Sequence, residues 1–153
     1  MANLFFILLD WLFILLYCVS FMQTKLSIII PTLNEERFIY RLLATIAGQD
    51  FLDYEIIVAD ANSKDKTQEI AKKFGCKITD GGKSPAAGRN NGAKISSGKY
   101  LLFLDADVVL QPHFLKKIIV EFEAKKLGVA SCYMKPLSNR KIDHIIHETA
   151  NLF

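Results

Sequence analysis

Three short apolar runs, each closed by polar residues, constrain this chain more than any other feature of its sequence. Leu26–Ile30 reads LSIII and runs into Pro31, Thr32, Leu33, Asn34 and Glu35. Tyr54–Ala59 reads YEIIVA and runs into Asp60, Ala61, Asn62 and Ser63. Tyr100–Leu104 reads YLLFL and runs into Asp105, Ala106 and Asp107. Runs of this length, rich in β-branched and aromatic residues and bounded by turn residues, are expected to be strands, the second and third of them buried on both faces. Pro31 ends the first, because it cannot donate to a ladder. Helical patterns stand between the runs. Asn34 is placed to cap a helix with Glu35 and Glu36 in its first turn. That helix carries Phe38, Ile39, Leu42, Leu43 and Ile46 at helical spacing and stops at Gly48. Asp65–Phe74 is a second helix with Gly75 behind it, and Cys76–Thr79 a short strand. Asp80–Gly92 is a glycine-rich loop that opens a helix over Arg89–Ser96. Pro112 opens a helix with Phe114, Leu115, Ile118, Ile119 and Phe122 on one face, ended by Gly128. Val129–Met134 is expected to be a fifth strand, and Asn139–Phe153 a helix.

Strand–helix alternation of this period gives a mostly parallel α/β sheet with helices on both faces, a Rossmann-like arrangement. Such sheets bind ligands beyond the carboxyl ends of their strands. The carboxylates and amides at three strand ends therefore face one edge and form one acidic cleft. Asp105 and Asp107 are two residues apart, which puts both side chains toward the same side. Carboxylates that close repel and need a cation or a shared proton. A hard ion such as Mg²⁺ or Mn²⁺ is commonly held by one or two carboxylates together with substrate phosphates, which fits a nucleoside diphosphate. A bare D-x-D also fits a helix cap ahead of Pro112, so the surrounding motifs decide.

Those motifs stand in order: LSIIIPTLNEE at 26–36, EIIVADANSKDKT at 55–67 and GRNNGAKISSGKYLLFLDADVVL at 88–110. Together they resemble the nucleotide-sugar-binding part of a family 2 glycosyltransferase of the GT-A fold. The resemblance implies transfer of a sugar from a nucleotide-diphosphate sugar to an acceptor hydroxyl, metal-assisted and inverting. It implies that Pro31, Thr32, Asn34 and Glu35 line the nucleotide pocket, and that Asp60 contacts base or ribose. Asn62 and Ser63 stand where the family usually has Gly-Ser. Arg89 and Asn90 match the motif before the D-x-D strand, where Arg89 would meet a phosphate. Asp105, beside Ala106, would meet ribose and metal, and Asp107 would hold the metal on the diphosphate. The family's general base lies well downstream, in the acceptor half. Of the late carboxylates, Glu121 and Glu123 sit on a helix face that reads as solvated, and neither Asp143 nor Glu148 lies in a matching motif. The catalytic base is therefore unassigned, and the chain is expected to be a donor-binding portion over 24–153 that lacks the acceptor half. A companion chain would then supply it.

The hydrophobic share of 51% is uneven. Leu4–Met22 reads LFFILLDWLFILLYCVSFM, with Asp10 its one charged residue. Nineteen such positions reach the length of about 20 that a membrane helix needs. Asp10 costs about 2.5–3.5 kcal/mol, which the surrounding apolar residues outweigh. Residues 1–23 are thus expected to be a single-pass anchor. Lys25, Arg37 and Arg41 behind it favour a cytoplasmic catalytic domain. If Met22 is the true start, the protein is cytoplasmic throughout. An anchored enzyme points to a lipid-linked or envelope-glycan acceptor. A net charge of +3 over 19 basic and 16 acidic residues is no nucleic-acid footprint. Three separated cysteines (Cys18, Cys76, Cys132) form neither a zinc module nor a disulfide framework and read as reduced thiols.

Other readings are weaker. A non-catalytic nucleotide-sugar-binding module, or half of a split enzyme, is the alternative to an active transferase. LLFLDADVVL also fits the first motif of haloacid-dehalogenase-like phosphatases, but too little chain follows Asp105 for the later motifs. Gly82-Lys83-Ser84 fails as a phosphate loop because Lys77 stands where its first glycine is required. His144 and His147 form an i, i+3 pair with no third ligand.

Overall fold

The computed structural model describes residues 24–132 and Lys135. They fall into two compact units, one ending at Lys116 and the other beginning at Lys117. The first unit holds a four-stranded sheet in the order β3-β2-β1-β4, with β1 Leu26–Thr32, β2 Tyr54–Asp60, β3 Lys77–Asp80 and β4 Tyr100–Phe103. Every pairing is parallel. The helices are α1 Glu36–Ala47, α2 Thr67–Lys73, α3 Pro85–Ile95 and α4 Phe114–Ala124. β1, β2 and β3 step in one direction across the sheet and β4 returns to the other side of β1. Right-handed crossovers therefore put α1 and α2 on one face, where they pack together, and α3 on the opposite face.

The core is the central strand and its neighbours. Ile28, Ile29, Ile30, Ile57 and Val58 are fully buried; Ile29 and Ile57 point to the face that α3 covers, and α1 buries Ile39, Leu42, Leu43 and Ile46 on the opposite face. α3 lies unusually low over β1. A Cβ added to Gly92 would stand 2.4 Å from Ile29 Cγ2, and one on Gly88 3.3 Å from Pro31 Cβ. These two glycines let the helix approach the strand (their freedom to turn is not what is used). At the amino edge of the sheet, Glu55 accepts from the Ser27 hydroxyl at 2.6 Å, Lys77 Nζ at 2.6 Å and the Ser97 amide at 2.6 Å. Burial alone would raise its carboxyl, but these donors outweigh that and hold it down to about 2.

Several expectations change. β1 does not stop at Ile30 but runs through Pro31, which pairs with Ala59. The Leu104 amide donates to the Ile29 carbonyl, so Pro31, two residues on, turns its missing N–H toward β4's side, where pairing has already ended at Phe103. The helix expected from Arg89 begins at Pro85, with Ser84 as N-cap accepting from the Ala87 amide at 3.2 Å. Asn34 does not cap α1; Glu35 occupies that position and makes no side-chain cap bond. Phe38 is exposed rather than inward. β4, expected to be buried on both faces, leaves Leu101 and Phe103 over two-fifths exposed, because it is the sheet edge among the described residues and α3 lies over β1, β2 and β3.

In the second unit α4 ends at Ala124, and Lys126 rather than Gly128 takes a positive φ of 50°. The expected strand over Val129–Met134 is absent from its described part, 129–132; Val129 is 89% exposed and buries nothing that would offset ordering a strand. Among the described residues no helix is long and apolar enough to cross a membrane. The expected anchor over 1–23, the helix over Asn139–Phe153 and the pair His144 and His147 lie outside the described residues.

Candidate nucleotide site

The carboxyl ends of β1, β2 and β4 meet at one edge of the first unit, as the motif order predicts. Asp60 closes β2 and is 4% exposed. Its Oδ1 accepts from the Ser63 amide at 2.9 Å and Gln68 Nε2 at 2.6 Å. Its Oδ2 accepts from the Thr32 hydroxyl at 2.9 Å and the Ser63 hydroxyl at 2.6 Å. Burial would push this carboxyl up, but the bonds from Ser63, Gln68 and Thr32 prevail and hold it below the usual carboxylate range. A carboxylate has about four lone-pair sites, and all are filled by protein donors. Contact with a base or ribose would exchange one of them, and the Ser63 hydroxyl is the donor that can rotate away.

The loops above this carboxylate are stitched together. The Asn34 amide donates to the Ser63 hydroxyl at 2.8 Å, and Asn34 Oδ1 accepts from the Lys64 amide at 2.8 Å. Asn34 and Asn62 both sit in the left-handed region, with φ of 57° and 61°. Asparagine tolerates that region better than most residues. Asn34 thus joins the β1 and β2 ends instead of capping a helix. The Glu35 amide donates to the Thr67 hydroxyl at 2.8 Å, and the Glu36 amide to Asp65 Oδ2 at 3.0 Å, so the first turn of α1 is capped from the start of α2. Gln68, Asp65 and Thr67 were not legible as site-building residues. Asp65 and Thr67 stand at the end of the motif quoted at 55–67, which gave them no role of their own.

The β4 end is built differently. Leu104 and Ala106 are buried while Asp105 and Asp107 are exposed, which is the expected alternation. Ala106 therefore has only its backbone to offer a ligand. Arg89 Nη2 pairs with Asp105 Oδ1. Asp107 accepts no hydrogen bond from a described residue, and Asn90 is exposed on α3. The two ends share one electrostatic field. The Glu35 carboxyl is raised first by burial and then by the charges of Asp107, Asp65 and Asp105. The half-buried thiol of Cys76 is pushed up to about 11 by burial, which leaves it unsuited as a nucleophile; Cys76 and Cys132 are free.

The donor set suits a hard cation in part. Asp105 keeps one oxygen outside its pair with Arg89, and Asp107 keeps both. Among the described residues no group of three or more His, Cys, Asp or Glu is arranged to hold a metal ion. A metal held here would complete its shell from phosphate oxygens, as hard divalent ions commonly do.

Comparison with known proteins identifies the family and the fold. The family model for glycosyl transferase family 2 matches residues 27–149. Poly(ribitol-phosphate) beta-N-acetylglucosaminyltransferase TarS of Staphylococcus aureus is 31% identical over 137 residues, covering 82% of this chain and 24% of that protein. The chain therefore spans about a quarter of that relative's length. A crystal structure of S. aureus TarS 1-349 in complex with UDP superposes with a TM-score of 0.63 at 28% identity, over 73% of this chain and 40% of that one. A mannosyltransferase of Pyrobaculum calidifontis, in complex with GDP-Man and Mn²⁺, shares the fold with a TM-score of 0.58 at 22% identity, over 65% of this chain and 32% of that one.

Proposed function

The chain belongs to glycosyltransferase family 2, and from that premise we propose that the cleft at the ends of β1, β2 and β4 binds a nucleotide-diphosphate sugar for transfer to an acceptor hydroxyl. One observation carries this reading. The Glu35 carboxyl at one strand end is raised first by burial and then by the charges of Asp107, Asp65 and Asp105, so negative charge gathers at this edge and favours a cation there. The nucleoside sits toward the β1–β2 end, over Pro31, Asn34 and Asn62, with Asp60 and Thr32 beneath. UDP is the nucleotide we assign, since a TarS structure holds it.

The diphosphate lies toward β4. Asp105 and Asp107 would hold Mg²⁺ or Mn²⁺, which when bound neutralises charge growing on the leaving nucleoside diphosphate. Arg89 pairs with Asp105 and orients it, and its guanidinium is positioned to share a phosphate oxygen. An acceptor hydroxyl entering from the side opposite the leaving group inverts the sugar configuration. No described residue takes the part of general base; Glu121 and Glu123 are exposed on α4, in the second unit.

Calorimetry with UDP tests the assignment. Mn²⁺ should tighten UDP binding to the full chain, and Asp107→Ala should remove that gain. An unchanged gain in Asp107→Ala sinks the metal assignment. The alternative, binding without transfer, is favoured by the lack of a base among the described residues; UDP-sugar turnover with any acceptor rules it out. The companion chain expected from the sequence has no support among the relatives. We retain residues 4–22 as a single-pass anchor that leaves the site cytoplasmic and faces it toward a lipid-linked or envelope-glycan acceptor. Removing residues 1–21 should shift the protein from the membrane fraction to the soluble one.

A further inference from the structure

The chain that follows Asp107 is gripped by side chains the nucleotide cleft does not use. Gln49 stands just past the end of α1 and is 6% exposed. Its Nε2 donates to the Thr45 carbonyl at 3.1 Å and to the Gln111 carbonyl at 3.0 Å, and its Oε1 accepts from the Leu115 amide at 3.1 Å. One helical turn earlier, Thr45 Oγ1 accepts from the Leu110 amide at 3.2 Å and donates to the Leu42 carbonyl at 2.8 Å. Two side chains at the end of α1 therefore hold three backbone groups between Leu110 and Leu115.

The Leu115 amide lies in the first turn of α4, where N–H groups have no partner within the helix. His113, just before the helix, has a φ of 63° and turns its ring to Asp50, with Nδ1 at 2.9 Å from Oδ2. It supplies no cap, and Gln49 supplies one from another element. Towards the cleft, Leu110 and Ala106 are buried, and the Val108 amide donates to the Asp105 carbonyl at 3.3 Å. The loop that carries the two carboxylates is thus anchored at both ends, by β4 on one side and by Thr45 and Gln49 on the other.

We propose that Gln49, with Thr45, positions the Asp105–Asp107 loop for a metal-bound diphosphate by fixing Leu110–Leu115 against the end of α1. This rests on the reading of the cleft given above. Two exposed carboxylates repel, and a loop tethered only at its strand end would let them part. The second anchor removes ordering that binding would otherwise have to supply.

The test uses UDP and Mn²⁺ on the full chain, reading the UDP dissociation constant with and without metal. Gln49→Leu should cut the Mn²⁺-dependent gain by about tenfold, in the range that loss of supporting groups around metal sites produces. UDP binding without Mn²⁺ should not change. Thr45→Val should lower the gain less, and Thr45→Ser, which keeps the hydroxyl, should restore it. Hydrogen exchange should be faster at the Leu110 amide in Thr45→Val and at the Leu115 amide in Gln49→Leu. If exchange quickens and the gain is unaltered, the proposal is overturned. Equal losses with and without Mn²⁺ overturn it too, since that is what a purely structural role would give. If Gln49→Leu does not fold, the Val and Ser variants at Thr45 decide alone. A wild-type chain with no Mn²⁺ gain overturns the cleft reading itself, and this inference with it.

Discussion

The β2 and β4 ends each carry carboxylates at the same edge of the sheet, yet they are made in opposite ways. At β2, Asp60 is buried and receives four hydrogen bonds from Thr32, Ser63 and Gln68. At β4, Asp105 and Asp107 are exposed, and Asp105 has a single partner in Arg89 while Asp107 has none among the described residues. The first carboxylate is part of the scaffold: its charge is already compensated, and it fixes the shape of the turn over which a nucleoside would sit. Of the other two, Asp105 is compensated only by Arg89 and Asp107 by no described residue, which leaves charge available to a cation. A saturated carboxylate stabilises the fold, and an unsaturated one costs little to expose but waits for a ligand.

Stability measurements can break this contrast. Asp60→Ala removes the acceptor for four donors in a buried place and should cost roughly 3 kcal/mol, read as a lower denaturant midpoint at unchanged slope. Asp107→Ala should change the same midpoint by no more than about 0.5 kcal/mol. Comparable losses would mean that the β4 end is structural as well. Acid titration should separate the ends next. Asp60 is depressed in the folded state, so its contribution is present above its unfolded value, about pH 4, and is lost as pH falls through the folded value. Glu35 is raised, so the sign reverses: it opposes folding at neutral pH, and that opposition fades as pH falls through its raised value toward about 4.3. Glu35→Gln should therefore raise the thermal midpoint slightly at pH 7 and leave it unaltered near pH 3. A drop at pH 7 would show that the Glu35 charge is compensated. The smallest effect is expected at Arg89. Its pair with Asp105 is largely open to solvent, so Arg89→Ala should cost under about 1 kcal/mol, and less in high salt.

The sequence made the β1, β2 and β4 runs and the D-x-D alternation legible because each is local: apolar residues bounded by turn residues, and side chains of period two. It misled where local signals served a distant purpose. Gly88 read as a loop residue and Gly92 as the place where loop passes into helix, yet both lie in α3, because the close approach they allow is to Ile29 and Pro31 on another element. Pro31 read as a strand end, yet it lies where only one neighbour needs a donor. Val129 opened a plausible strand with nothing to cover it. Gln49 gave no signal at all, since a glutamine after a helix says nothing of backbone groups 62 and 66 residues away. Asp60 was found from its motif, but one of its four bonds comes from Gln68, whose helical spacing marks it only as part of α2.

The register of β1 also sets an order of assembly. Its bond from Thr32 to Asp60 joins residues 28 apart, whereas the bond from the Gly98 amide to Ser27, which brings in β4, joins residues 71 apart. Closing the longer loop costs more chain entropy and comes later in folding. The β1–β2 end can therefore form from early, local pairing, while the end that carries Asp105 and Asp107 exists only once β4 has docked on the far side of β1. During synthesis the chain would hold a finished Asp60 turn well before it holds the paired carboxylates of β4.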